Sequence, residues 1–321
     1  MTPLRPTDPT YVGPYRLVAR LGSGGMGLVY LGISPLGDRV AVKVIRPELV
    51  NGQDVRARFA TEVNHMRMVY GTRVTRFEGA GLDEDRPWLA VEYVPGLNLM
   101  EHMELRGPMS LLDVAMLGAC LADGLARIHE AGLVHRDLKP RNILLGPDGP
   151  KMIDFGLAML TDGENHLDES GLLVGTIAYM APEQGFSDGE VSTATDIYAL
   201  GATLVFAFSC HHPYPTERGI ALLNRITDPY DPVDLSAVPD EVVFLIGAML
   251  SYEPADRPSL GAVMRRLLAV ATADGRSIEQ ARAEFLAHTY VEPNRPAEPP
   301  RPTPGDEPFD DDRTILARFA S

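Results

Sequence analysis

The sequence predicts an α+β fold of two unequal parts, a small strand-rich part followed by a larger helical one. Three observations carry that expectation. Between Tyr15 and about Val94 the chain breaks into short runs rich in β-branched and aromatic residues, separated by turns marked with glycine and proline. After Pro95-Gly96 the apolar residues recur at helical spacing instead. The 321 residues, 45% of them hydrophobic, suffice for one large domain or two lobes with a substantial core.

Taken in order, residues 1–14 read as an N-terminal extension. The small part, residues 15–94, holds strands at "YRLVARLG", "GLVYLGIS" and "RVAVKVI". In "DVRARFATEVNHMRMV", Phe59, Val63 and Met66 recur at i, i+4 and i+7 and predict the one helix of this part. "PWLAVEYV" reads as a further strand, and a short link lies near Val94–Leu97. Residues 95–290 form the larger part. Its first long helix, in "LLDVAMLGACLADGLARIHEAG", stops at Gly132, and further helices are expected at "TATDIYALGATLVFAFS", "DEVVFLIGAML" and "LGAVMRRLLAVA". There is no internal repeat. Residues 291–321 are proline-rich and acidic, a tail expected to be extended and disordered.

Composition narrows the function. A formal net charge of −15 opposes broad nucleic-acid or anionic-membrane binding, which needs a basic surface. It leaves room for a polyphosphate in a local basic pocket. The two cysteines, Cys120 and Cys210, lie within apolar helical patterns and read as buried free thiols, in keeping with a reducing cytoplasm. "MTPLRPTDPT" lacks the apolar run of a signal peptide. No window reaches the ~18 apolar residues of a membrane span. A soluble cytoplasmic protein is expected.

The chemistry concentrates in a few stretches. "LGSGGMGLVY" holds Gly22, Gly24 and Gly27 as G-x-G-x-x-G. Such glycines let main-chain N–H groups close over phosphates. A dinucleotide-binding turn would lie between a strand and a helix, whereas these glycines lie between two strands, as in a hairpin flap. Lys43 is a lone cation in a strand otherwise made for burial. An edge-strand lysine reaching water is the bland alternative, but a glycine flap one strand earlier favours contact with phosphates. Glu62 is the candidate counter-ion; a surface pair with Arg58 at i,i+4 is equally open from the spacing. "LVHRDLKPRNILL" sets a cluster of charged and polar side chains between two apolar runs, where burial demands partners.

Together Gly22–Val29, Lys43, "HRDLKPRN" and "DFG" at Asp154–Gly156 resemble the eukaryotic-type protein kinases, and more particularly the bacterial Hanks-type serine/threonine kinases, from about Tyr15 to at least Pro258. The resemblance implies the bilobal protein kinase fold and roles for individual residues. Asp137 would accept or orient the hydroxyl proton of the substrate, and Lys139 would neutralise charge on the transferring phosphoryl group. Lys43 and Glu62 would complete the catalytic set. Asn142 and Asp154 offer hard oxygen ligands for Mg²⁺, expected as two ions. ATP would lie beneath Gly22, Ser23, Gly24, Gly25, Met26 and Gly27. Leu21, Val29 and Ala41 would roof the adenine and Leu144 would floor it. The main chain of Glu92 and Val94 would supply the hinge bonds, with Val91 in the gatekeeper position. His135 would pack behind the loop.

"GTIAYMAPEQ" resembles the substrate segment and APE motif, with Thr176 and Glu183 in their expected places. Arg257 in "EPADRPS" would pair with Glu183, and Asp196 in "TATDIYALG" would brace the catalytic loop. Lys139 with Thr176 indicates serine/threonine specificity. Arg136 before Asp137 points to a phosphate-ordered loop. In "LAMLTDGENHLDESGLLVGT", either Ser170 is the switch site, or Asp168 and Glu169 substitute for a phosphate, or the loop is merely a solvated acidic one. In the tail, Thr314 follows "DDDR" and resembles acceptor sites whose phosphothreonine recruits forkhead-associated domains; a terminus without a partner is the alternative. Protein substrates are expected, with no nucleic acid partner. A pseudokinase scaffold is the alternative from another class, opposed by the presence of Lys43, Asp137, Asn142 and Asp154. A small-molecule phosphotransferase is opposed by Gly175–Glu183 and Arg257.

Overall fold

The computed structural model describes residues 1–24, 26–50, 53–82, 86–155, 177–186, 189–214 and 219–292, without the side chains of residues 53, 54 and 58. The first part contains β1 (Tyr11–Val12), β2 (Tyr15–Gly24), β3 (Gly27–Ile33), β4 (Arg39–Ile45), α1 (Gln53–Met66), β5 (Phe77–Gly81) and β6 (Trp88–Glu92). These strands form one six-stranded antiparallel sheet in the order β1-β2-β3-β4-β6-β5. Alternation along the strands gives the sheet two apolar faces. Tyr15, Leu17, Tyr30, Val40, Val42, Trp88 and Ala90 bury on the outer face. Ile45 and Leu89, on the other face, join the main core together with Phe59, Val63 and Met66 of α1, the three positions picked out by helical spacing.

The outer face is covered by residues 1–14. Thr2 exchanges main-chain hydrogen bonds of 2.9 and 2.8 Å with Arg20, and Leu4 packs against the apolar layer. The Asp8 carboxylate accepts from Arg20 Nε at 2.6 Å and from the Tyr30 hydroxyl at 3.0 Å. The Arg20 guanidinium holds that carboxyl well below the usual range. The extension thus belongs to the sheet's packing. Gly13 makes the turn into β2 at φ 52°, and a Cβ there would meet the Trp88 indole at 2.2 Å.

The second part contains β7 (Leu97–Asn98), α2 (Leu99–Arg106), α3 (Leu111–Glu130), β8 (Ile143–Gly146), β9 (Gly149–Met152), α4 (Thr193–Ser209), α5 (Gly219–Ile226), α6 (Asp240–Met249), α7 (Leu260–Ala271) and α8 (Ile278–Thr289). α4 is apolar almost all round and is buried along nearly its whole length, as such a helix must be. Ser192 caps its start, accepting from Ala194 N at 3.3 Å. α3 starts at the Ser110 cap and runs beneath α4 and α7. At Gly118 the helices come close: a Cβ would stand 2.6 Å from Leu267 and 3.0 Å from Leu204. The two parts join at Arg73–Thr75, where Met152 N donates to Arg73 O at 2.9 Å and Thr75 N to Met152 O at 3.1 Å.

Cys120 is buried as expected, but Cys210 is exposed. The correction has a local cause: Cys210 is the residue that ends α4, in the left-handed conformation at φ 62°, and so stands outside the apolar helix it follows. α8 was not anticipated, although Ser277 and Gln280 form a capping box at its start. Among the described residues no helix is long and apolar enough to cross a membrane.

Gly13→Ala combines left-handed strain with the clash against Trp88, and is expected to cost roughly 1–3 kcal/mol. Thermal unfolding followed by the fluorescence of Trp88, the only tryptophan, should show the midpoint falling by several degrees.

Candidate active site

The glycine segment is a hairpin, as its position between two strands demands. Gly22 pairs with Val29, Ser23 with Leu28 and Gly24 with Gly27; Gly25, at the tip, lies outside the described residues. The glycines differ in their reasons. Gly27 sits at φ 149° with its missing Cβ only 1.9 Å from Val44 O, so sheet packing requires it. Gly22 and Gly24 face open space, with nothing within 4 Å of an added Cβ. Both residues are exposed.

Register groups the adjoining residues. Val29 pairs with Lys43, Leu31 with Ala41, and Ala41 in turn with Val91. Because Val40 and Val42 occupy the outer face, Ala41 and Lys43 point to the inner one. Leu21, Val29, Ala41 and Val91 are each half-buried there, as is Met26 beside the hairpin tip. Leu144 on β8 is also half-buried, between the buried Ile143 and Leu145, and faces away from that core. Glu92 ends β6, donating its N–H to Arg76 O at 2.8 Å while its carboxylate accepts from Lys151 Nζ at 2.5 Å; Val94 beyond it is buried.

The catalytic-loop candidates form one hydrogen-bonded cluster. Lys139 Nζ donates to both carboxylate oxygens of Asp137 at 2.8 Å. Asn142 Nδ2 donates to Asp137 O at 2.8 Å and Oδ2 at 3.0 Å. Asn142 O accepts from Ile153 N at 3.0 Å, which brings Asp154 alongside. Behind the loop, Asp196 is fully buried on α4. It accepts from His135 N at 2.8 Å and Arg136 N at 2.9 Å, and His129 Nε2 lies 2.7 Å from the same carboxylate. Arg136 and Asp154 both adopt positive φ, 64° and 60°. Each costs on the order of 1–2 kcal/mol for a non-glycine residue. His135 is buried with its ring against Phe155 at 6.5 Å between centroids.

A second cluster supports the segment before Glu183. The Arg257 guanidinium, fully buried, donates to Glu183 at 2.7 and 2.8 Å, and to Ser251 O, Ala194 O and Tyr252 O at 2.9–3.0 Å. Thr195 Oγ1 donates to Glu183 at 2.8 Å. Burial raises the Glu183 carboxyl, but these charge-assisted bonds outweigh it and hold the group below its ordinary range. With every donor used, this is the arrangement in which a buried ion pair is tolerated.

The Lys43–Glu62 pair does not form. Lys43 Nζ instead lies 2.9 Å from Asp154 Oδ2, with Met26 Sδ at 3.6 Å. Glu62 Oε2 is buried with no hydrogen-bond partner among the described residues, and burial raises this carboxyl above its usual range against the charges of Arg136 and His65. Spacing places Glu62 on α1 but does not fix the rotation of that helix. It also gives no hint that a carboxylate 111 residues away competes for the same cation. The Arg58 side chain, Ser170, Thr176 and Thr314 lie outside the described residues. Two contributors escaped the sequence reading: His129, inside an apolar helix, and Gln184, immediately after the APE motif.

Among the described residues no group of three or more His, Cys, Asp and Glu side chains could hold a metal ion. Asn142 and Asp154 fit Mg²⁺ on other terms, since this ion takes one or two protein ligands and completes its shell with water and phosphate oxygens.

A family model described as the protein kinase domain matches residues 15–268. The chain is 40% identical over 310 residues to the probable serine/threonine-protein kinase PkwA of Thermomonospora curvata, covering 94% of this chain and 41% of that protein. It is 42% identical over 256 residues to the serine/threonine-protein kinase AfsK of Streptomyces coelicolor, covering 78% and 31%. To the serine/threonine-protein kinase PknL of Mycobacterium tuberculosis it is 31% identical over 248 residues, covering 76% and 62%. The chain thus spans well under half the length of the first two relatives.

The isolated Glu62 carboxyl makes a pH-dependent prediction. Its raised folded-state pKa means that ionisation costs stability as pH climbs above the ordinary value of 4.5. Glu62→Gln removes that cost. Without nucleotide, the variant should unfold at a higher temperature than wild type at pH 7 and at the same temperature near pH 4; an unchanged difference across that range would contradict it.

Proposed function

The chain belongs to the protein kinase family, and on that premise we propose that it is an ATP-dependent protein serine/threonine kinase of the bacterial Hanks type, transferring the γ-phosphate to protein hydroxyls, its own included, in bacterial signalling. The observation that carries the reading is the cluster of Asp137, Lys139 and Asn142, with Asp154 alongside and Lys43 within reach. A solvated loop would not hold one carboxylate by a lysine and an asparagine at 2.8–3.0 Å.

Each residue has a task set by its surroundings. Asp137, held by Lys139 and oriented by Asn142, accepts the proton of the attacking hydroxyl. Lys139, two residues on, offers positive charge where negative charge grows. The open main chain at Gly22 and Gly24 supplies N–H donors for phosphate oxygens, and Met26 with Leu21, Val29, Ala41 and Leu144 supplies the apolar slot for a base. Val91 limits the depth of that slot, and the Glu92 and Val94 main chain edges it. Lys43 orients phosphates once it leaves Asp154, with Glu62 as its partner in the working state. Asn142 and Asp154 would hold Mg²⁺, two ions in this reading, which would supply positive charge against the phosphates.

Finer parts of the reading rest on the sequence alone: Ser170 as the loop switch, Thr314 as a phosphoacceptor recognised by a forkhead-associated domain, and a cytoplasmic location.

The test is incubation of purified protein with Mg²⁺ and ATP beside an Asp137→Asn variant, followed by mass-spectrometric mapping of phosphate. Loss of the base should reduce transfer roughly 10²–10⁴-fold, and EDTA should abolish it in the wild type. Equal phosphate incorporation by variant and wild type would refute the assignment of Asp137. No incorporation by either, on itself or on a general protein acceptor, would contradict the kinase reading.

A further inference from the structure

Arg136 precedes the proposed base and sits in the left-handed region at φ 64°. A non-glycine residue remains there only when its surroundings hold it. Both of its main-chain groups are held, each by a side chain from a distant segment. Its N–H donates to Asp196 Oδ1 at 2.9 Å. Its carbonyl accepts from Gln184 Nε2 at 3.1 Å. The first contact is the brace anticipated for Asp196; nothing in the kinase motifs assigned the second.

From this geometry we propose that Gln184 is a positioning residue for phosphoryl transfer, holding the peptide plane that leads into Asp137. The inference rests on the kinase reading above. The Arg136 carbonyl and the Asp137 N–H belong to one peptide unit, so fixing the oxygen fixes the direction in which the Asp137 Cα leaves it. Lys139 and Asn142 hold the carboxylate at the other end. Gln184 and Asp196 therefore set the base from its main chain, and the two polar neighbours set it from its tip.

The same amide faces a second segment. Gln184 Oε1 accepts from Ala181 N at 3.0 Å, so one side chain ties the catalytic loop to residues 177–183, the stretch that resembles the acceptor platform. Only an amide does both, donating through nitrogen and accepting through oxygen. Its root is rigid, because the adjacent Glu183 is locked to the buried Arg257. Gln184 thereby sets the distance between the base and the hydroxyl it serves, the quantity to which transfer rates are most sensitive.

Gln184→Glu isolates the claim. The carboxylate still accepts from Ala181 N but no longer donates to Arg136 O. With the full chain, Mg²⁺, labelled ATP and myelin basic protein as acceptor, kcat should fall roughly tenfold to a hundredfold. The KM for ATP should stay within about twofold and the thermal midpoint within about 2 °C, since one partly exposed bond is lost. Gln184→Met, of nearly equal length, removes both bonds and should lose at least as much. A kcat for Gln184→Glu within about twofold of wild type would overturn the proposal. So would a joint loss of kcat, ATP affinity and thermal midpoint, the signature of a merely structural role. A wild-type protein that transfers no phosphate would instead defeat the kinase reading, and this inference with it.

Discussion

The site depends first on one carboxylate. Asp196 is fully buried in a helix that is apolar almost all round, where an uncompensated charge would cost several kcal/mol. Two main-chain N–H groups of the catalytic loop and the His129 ring compensate it. The dependence runs both ways. The loop satisfies the charge, and the charge holds the loop in a conformation that includes a left-handed arginine. Because α4 is packed on all sides, the brace does not drift, and the groups that follow inherit its position: Asp137 directly, Lys139 and Asn142 through their bonds to it, and Asp154 through the Ile153–Asn142 main-chain contact.

A second constraint is competition for Lys43. The sequence offers Glu62 as the partner of this cation, and Asp154 has it. Glu62 is half-buried, and its Oε2 has no hydrogen-bond partner among the described residues. Asp154 is also the proposed metal ligand, and a dication attracts a carboxylate more strongly than an ammonium does.

Much of this was legible in the sequence, for reasons that can be named. Helix α4 announces itself through a mostly apolar run after Asp196, and α7 through its period after Ser259. Phe59, Val63 and Met66 define the buried stripe of α1 by spacing alone. The glycine hairpin follows from strands on both sides of it. The Glu183–Arg257 pair was expected from motif resemblance, and its four further polar partners, Ser251, Ala194, Tyr252 and Thr195, only from coordinates. What escaped was set by tertiary geometry. The rotation of α1 decides the fate of Glu62, the exact end of α4 decides the exposure of Cys210, and a contact spanning 48 residues decides the role of Gln184. Residues 1–14 read as an appendage because their few apolar side chains carry no period; their function is to cover a sheet face that is legible only once the strands are paired.

The most direct measurement is the single-turnover rate of phosphoryl transfer by Asp196→Asn, with nucleotide affinity measured on the same preparation. Asparagine keeps the size of the side chain and one acceptor oxygen but removes the charge that holds two N–H groups at once. If the buried carboxylate organises the site, transfer should slow by roughly a hundredfold while affinity for the magnesium–ATP complex changes by less than about threefold. A rate equal to wild type in the folded variant would contradict the central claim that Asp196 sets the catalytic loop.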